Sequence, residues 1–345
     1  NVISNIQSQG IIITTVFSVV LISFHASIIF VLVVSTISYL LRLLMTINYV
    51  KKRYKKLDFN VEPNYKALEG KWQAFSYQIA NMITNYTPMI IVAVFCGFID
   101  ASVFSIYNMV FFSLTMITAI FSAGFSAPFG NLIVKNEIKL LQSAFKSYEF
   151  IYRNIMFIVY TIALIVTIPF VSVYIKNNDG VNYIIPMAVV AFVIQGLFKS
   201  FRIPFVTLVE AAGMFEENKK LNIIEAIINV VLSLVFVKYF GFLGVLFGGM
   251  ISAFFRSILY VDFSRKKILK ESGYVYFIKL LLNLILSLGL YYSFKGSQID
   301  SLLEFLFLLV KVAFPVLISF IGLNSILDFK TSKDSFYRLR KILFK

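Results

Sequence analysis

One cysteine and one histidine in 345 residues leave little room for metal or thiol chemistry. A zinc site needs three or four Cys, His or carboxylate ligands, and nucleophilic Cys–His catalysis needs both partners placed together. Cys96 lies inside an apolar stretch, where a small packing residue is expected, so there is no disulfide framework to read. His25 falls between two apolar runs and reads as an interfacial turn residue rather than a proton relay. Charge is also scarce. Only 14% of the residues are Asp, Glu, Lys or Arg, and acids are outnumbered 17 to 32. No long polar stretch between apolar runs is large enough to house a folded catalytic domain, and no enzyme activity is expected.

What fills the chain is hydrophobic: 59% of all residues, with a mean hydropathy of +0.85. A soluble domain of this composition would expose too much apolar surface, so the expected class is an all-α polytopic membrane protein. The net charge of +15 does not indicate nucleic acid, because the basic residues sit in alternate loops and form no patch on a soluble module. The nineteen tyrosines and thirty-eight phenylalanines fit lipid-facing surfaces and interfacial belts.

A span needs about 20 apolar residues. That ruler predicts ten transmembrane helices, at 8–24, 26–50, 73–97, 101–127, 150–175, 182–203, 221–238, 242–263, 274–294 and 301–327. Pro88, Pro169, Pro204 and Pro315 fall in or beside spans and predict kinks. The segment 131–148 is more polar, with Ile133, Leu140, Leu141 and Phe145 at roughly helical spacing, and predicts an amphipathic helix on the inner membrane face.

Loop charge sets the expected orientation. One side carries Lys51, Lys52, Arg53, Lys55, Lys56, Lys66 and Lys71, then Lys135, Lys139, Lys146 and Arg153, then Lys219 and Lys220, then Arg265, Lys266, Lys267 and Lys270. The tail adds Lys330, Lys333, Arg338, Arg340, Lys341 and Lys345 to the same side, while the opposite loops hold only Lys176, Lys238 and Lys295. By the positive-inside rule the basic loops, residue 1 and the C-terminus are expected in the cytoplasm.

One phrase occurs twice. Ile37-Ser38-Tyr39-Leu40-Leu41-Arg42 precedes Lys51-Lys52-Arg53 by eight residues, and Ile251-Ser252-Ala253-Phe254-Phe255-Arg256 precedes Arg265-Lys266-Lys267 by the same spacing, 214 residues on. Asn5-Ile6 pairs loosely with Asn222-Ile223. Six helices per repeat leave topology unchanged, so two parallel lobes are expected. The expected division is 1–55 for the last two helices of a first lobe and 72–270 for a six-helix second lobe. Residues 271–327 would form two additional helices, and 328–345 a basic cytoplasmic tail. The register also predicts about 140 residues and four helices upstream of Asn1, about fourteen helices in all.

Several segments resemble Wzx-type polysaccharide flippases of the multidrug/oligosaccharidyl-lipid/polysaccharide (MOP) exporter superfamily. They are Val103-Phe104-Ser105-Ile106-Tyr107-Asn108-Met109, Ala127-Pro128-Phe129-Gly130, Ala211-Ala212-Gly213-Met214, Asn229, Phe240-Gly241-Phe242-Leu243-Gly244-Val245 and Gly248-Gly249-Met250-Ile251-Ser252. The resemblance is diffuse but covers most of the chain. It implies a two-lobed, MATE-like bundle around a central cavity. The implied activity moves undecaprenyl-diphosphate-linked oligosaccharide from the inner to the outer leaflet of the bacterial cytoplasmic membrane, by alternating access, for O-antigen or capsule synthesis. A peptidoglycan-precursor flippase and a drug/cation antiporter of the same superfamily remain open, as does, from another class, a membrane polymerase or glycosyltransferase. The expected partners are lipid-linked oligosaccharide, membrane lipids and other polysaccharide-assembly membrane proteins, with no nucleic acid. No cofactor or metal is expected beyond coupling to a proton or sodium gradient.

Intramembrane polar residues are the candidates for transport. Arg42 and Arg256 lie roughly 13 Å deeper than their basic triplets, placed either to meet a diphosphate from two lobes or to snorkel toward head groups. Lys199 and Arg202 share a helical face beside Pro204, as cavity lining or interfacial anchors. Gln78, Asn81 and Asn85 form an amide stripe suited to sugar hydroxyls or to interhelical bonding. Glu225, flanked by Asn222 and Asn229, is the candidate for ion coupling. Lys311, with Glu304 seven residues before it, is assigned to packing or lipid contact. Gly241, Gly244, Gly248 and Gly249 are assigned to close helix packing.

Overall fold

In hydrocarbon every backbone N–H and C=O must be satisfied within the protein, and a continuous helix does this locally. The computed structural model describes residues 2–53, 71–122, 124–175, 180–271, 274–296, 299 and 301–335, and its regular structure there is entirely helical. Twelve α-helices follow one another among the described residues: α1 (Val2–Ser23), α2 (Ile28–Arg53), α3 (Lys71–Cys96), α4 (Phe98–Ile120), α5 (Ser126–Val134), α6 (Ile138–Tyr174), α7 (Pro186–Phe201), α8 (Ile203–Ala211), α9 (Phe215–Phe240), α10 (Phe242–Ser264), α11 (Tyr274–Phe294) and α12 (Leu302–Leu327). They provide ten stretches long and apolar enough to cross a membrane, the number expected, as befits a multi-pass membrane protein. Lys55, Lys56, Lys66, Lys176, Arg338, Arg340, Lys341 and Lys345, which entered the orientation argument, lie outside the described residues.

The chain divides into two compact units, residues 1–69 and 70–345. The first contains the α1–α2 hairpin. Its turn is a Schellman cap: His25 adopts φ 56°, its N–H donates to Ile22 O at 2.9 Å, and Ala26 N–H donates to Leu21 O at 3.0 Å. The lone histidine is therefore a turn residue.

In the second unit α9 and α10 form a tight hairpin that packs on α3 and α7, while α6 carries α11 and α12 on another face. Small residues set the hairpin spacing. A methyl at Gly244 would lie 2.2 Å from Phe236 O, and one at Gly248 would lie 2.6 Å from Ser233 N. Both obstacles are backbone, so neither can swing aside, in keeping with the packing role assigned to Gly244 and Gly248; Gly241, at φ 58° with open space around it, is instead the turn residue between α9 and α10. Gly244→Ala is expected to force the hairpin apart and cost about 1–3 kcal/mol, read as a lower midpoint of thermal unfolding in detergent.

Two expectations need correction. The polar segment 131–148 is not one amphipathic helix. It ends α5, turns at Asn136 (φ 58°), and then forms the first eleven residues of the 37-residue α6. Asn136 tolerates the left-handed conformation that closes the Schellman turn, and beyond it nothing interrupts the helix before the fifth span. Leu141 and Phe145 are buried protein core rather than a membrane-surface face. The sixth span likewise continues to Ala211, as α7 and α8, with a break at Arg202. Pro204 has no N–H to donate backward, so the chain restarts its helix there and leaves Arg202 at the joint.

An amide cluster pins α11 and α12 to α6. Asn324 Nδ2 donates to Asn154 Oδ1 at 3.0 Å and to Asn283 Oδ1 at 2.9 Å. Asn283 Nδ2 and Arg153 Nε each donate to Asn324 Oδ1 at 3.0 Å.

Candidate functional site

The break at Arg202 and the register of α9 and α10 converge on one buried carboxylate. Glu225 is fully buried on α9. Arg202 Nη1 donates to its Oε1 at 2.7 Å, and Arg256 Nη1 donates to its Oε2. Arg256 comes from α10, one helix across the hairpin, and its Nη1 also donates to Asn222 Oδ1 at 2.5 Å. Asn222 sits one turn before Glu225 and donates through Nδ2 to Tyr77 O of α3 at 2.9 Å. The guanidinium of Arg256 lies over the Tyr260 ring at 5.2 Å, and Tyr260 OH donates to Asn218 Oδ1. Asn218 Nδ2 in turn reaches Glu210 Oε1 at 3.1 Å. Asn218, Asn222, Glu225 and Asn229 thus form one polar seam along α9. At its far end Asn229 Nδ2 donates to Ser252 Oγ at 3.2 Å. Removing two arginines and a carboxylate from water is costly unless they find partners; the seam pairs both carboxylate oxygens with guanidiniums but leaves Arg256 Nε and Asn229 Oδ1 buried without a hydrogen-bond partner.

Next to the seam is a cavity of about 210 Å³, bounded by α3, α4, α7, α8, α9 and α10. Its charged lining is Lys199, Arg202, Arg256 and Glu225, an excess of positive charge. Amides enter from Asn81, Asn85, Asn108 and Gln195, hydroxyls from Tyr77, Thr84 and Thr115, and aromatic faces from Phe104, Phe111, Phe112 and Phe192. Phe111 and Phe192 stack at 5.3 Å with their planes 6° apart, giving one wall a rigid apolar surface. Thr115 Oγ1 is hydrogen-bonded to Tyr160 OH at 3.0 Å.

Lys199 differs from the two arginines. It lines the cavity, yet among the described residues it makes no ion pair and no hydrogen bond. The cavity therefore holds two cations already bound to a carboxylate and one that is free. A carboxylate, phosphate or other anion entering it would meet Lys199 directly and the outer faces of the guanidiniums beside it.

The sequence candidates separate as follows. Lys199, Arg202, Arg256, Glu225, Asn81 and Asn85 come together around this cavity. Gln78 does not: it lies on the same face of α3 one turn before Asn81 but is exposed and outside the cavity lining. Arg42 belongs to the first unit, where Nη2 donates to Thr14 Oγ1 at 3.4 Å and the guanidinium lies 4.2 Å from the Tyr39 ring. In both hairpins the repeated arginine thus reaches the preceding helix of its own hairpin. The chemistry differs, because Arg256 meets a carboxylate while Arg42 has none within ion-pairing distance among the described residues. Lys311 is on the exposed face of α12. Asn108, Thr115 and Gln195 were not named as candidates from the sequence; Asn108 and Thr115 lie seven residues apart on one face of α4, a spacing that could have found them, whereas Gln195 is a lone amide in α7.

No cluster of His, Cys, Asp and Glu suited to a metal ion occurs among the described residues. Comparison with protein-family models, with curated proteins and with solved structures gives no match.

Proposed function

We propose that this chain is a Wzx-type flippase of the MOP superfamily that moves a diphosphate-linked oligosaccharide on a polyprenyl carrier between leaflets of the bacterial cytoplasmic membrane. The observation that carries this reading is the intramembrane cavity with three cations, one carboxylate and a wall of amides and hydroxyls. A diphosphate crossing hydrocarbon needs fixed positive charge, and sugars need hydrogen-bond partners that replace water. At about 210 Å³ the cavity suits a charged head group rather than a whole oligosaccharide, so the sugars would extend beyond it. On this reading residues 1–55 and 72–270 belong to two lobes, 271–327 add two helices, and the C-terminus is cytoplasmic. Lys199 is the cation free to take phosphate, and Arg202 and Arg256 are held in place by Glu225. The cation excess weighs against an exporter of organic cations, whose cavity would need surplus acid.

Reconstitution tests it. The protein in liposomes should expose a fluorescent polyprenyl-diphosphate oligosaccharide to an external quencher faster than empty liposomes do. Lys199→Gln should slow this about tenfold, the loss of one charge-assisted hydrogen bond, with unfolding unchanged. Equal rates with and without protein would reject the proposal.

A further inference from the structure

A second charged cavity, of about 410 Å³, lies between α6, the turn after α10, α11 and α12. Its cations are Lys146, Arg153, Arg265 and Lys279. Among the described residues three carboxylates face them, and they are shared. Asp328 accepts from Arg153 at 2.5 Å and also from Lys279. Glu271 takes Lys146 at 2.6 Å and Arg265 at 3.8 Å, while Glu149 pairs with Arg265. One positive charge is left over.

Arg265 carries a second deficit. The five residues Arg265–Leu269 form a π-helical turn, which buries Arg265 while Lys266 and Lys267 stay exposed. Such turns are common at functional sites. The basic triplet read from the sequence as a solvated loop is therefore split. Arg265 is 6% exposed, yet its Nε has no hydrogen-bond partner. A lattice of ion pairs serving only to join helices would close around its charges. Here an open polar volume remains, one unit of positive charge in excess, with a buried donor unsatisfied.

We propose that this cavity binds a phosphate monoanion, the chemistry presented by the head group of an anionic phospholipid or by free phosphate. Either supplies the missing negative charge and the missing acceptor. The cavity is built from the start of α6, the end of α10, the start of α11 and the residues after α12, so all its walls meet at one end of the spans. That is where a basic pocket between helices meets lipid head groups. The site is separate from the central cavity, and the proposal does not depend on the transport reading.

Thermal unfolding of the purified chain in mild-detergent micelles tests it, with phosphatidylglycerol, phosphatidylcholine or inorganic phosphate added. Phosphatidylglycerol should raise the midpoint and phosphatidylcholine should not. Lys146→Gln, a change at a half-exposed residue, should weaken the phosphatidylglycerol response roughly fivefold, as expected for one cation facing an anionic lipid. Lys266→Gln, outside the cavity, should leave it intact. A matching response to inorganic phosphate would name free phosphate as the ligand, and no such response would name the lipid. No rise of the midpoint with either phosphatidylglycerol or inorganic phosphate beyond that with phosphatidylcholine, or a full response in Lys146→Gln, would overturn the proposal.

Discussion

Glu225→Gln should be among the most damaging single substitutions in the second unit. The carboxylate is fully buried and accepts from both Arg202 and Arg256. Replacing it with an amide leaves two guanidiniums facing each other beside Lys199, with no negative charge lining the cavity. Removing one partner of a buried ion pair costs about 3–5 kcal/mol, because the remaining charge is stranded away from water. The expected result is a large fall in thermal stability in detergent. The double variant Glu225→Gln with Arg256→Gln should lose less than the two single changes added together, since each removes the other's stranded charge. Additive losses would mean that the pair does not act as a unit. In this placement Glu225 holds two of the cavity's cations in register.

Asn324→Leu is expected to loosen α11 and α12 from the rest of the second unit. Asn324 satisfies Asn154, Asn283 and Arg153 at once. Leucine fills a similar volume but leaves those three partners buried without it. Each unsatisfied polar group costs about 1–3 kcal/mol, so the summed loss should match or exceed that of Glu225→Gln. Hydrogen exchange separates the two variants. Asn324→Leu should raise exchange in α11 and α12 first, whereas Glu225→Gln should raise it in α9 and α10. Protection of α11 and α12 equal to that of the unaltered protein would show that apolar contacts such as Phe157 on Phe320, with ring centroids 5.7 Å apart, hold these helices unaided.

The ten spans were legible because hydrocarbon imposes one rule on every segment, length with low charge. The seam of α9 was partly legible for a similar reason: Asn222, Glu225 and Asn229 recur at helical spacing, so one face had to carry them. The two helix breaks were harder. Asn136 interrupts its helix through a left-handed backbone that hydropathy averages over, whereas the break at Arg202 follows from Pro204, whose kink was legible though the joint two residues before it was not. The second charged cavity was invisible in the sequence. Arg153 meets Asp328 across 175 positions, and Arg265 meets Glu149 across 116. No spacing rule links residues brought together by packing of whole helices. Arg265 was misread for a more specific reason, since a π-helical turn rotates one residue of a basic triplet inward while its neighbours remain outside. The repeat located Arg42 and Arg256 but not their difference. Equivalent positions in two hairpins kept the arginine, while only the second hairpin carries the acid that holds it.

If the cationic cavity serves passage of a lipid-linked diphosphate between leaflets, as proposed, leaflet-resolved labelling of lipid-linked oligosaccharide in cells depleted of this protein will reveal it. Depletion should trap the labelled oligosaccharide in the inner leaflet, and restoring the protein, but not its Lys199→Gln variant, should return it to the outer one. Undiminished delivery to the outer leaflet in depleted cells, with normal surface polysaccharide, would contradict the account.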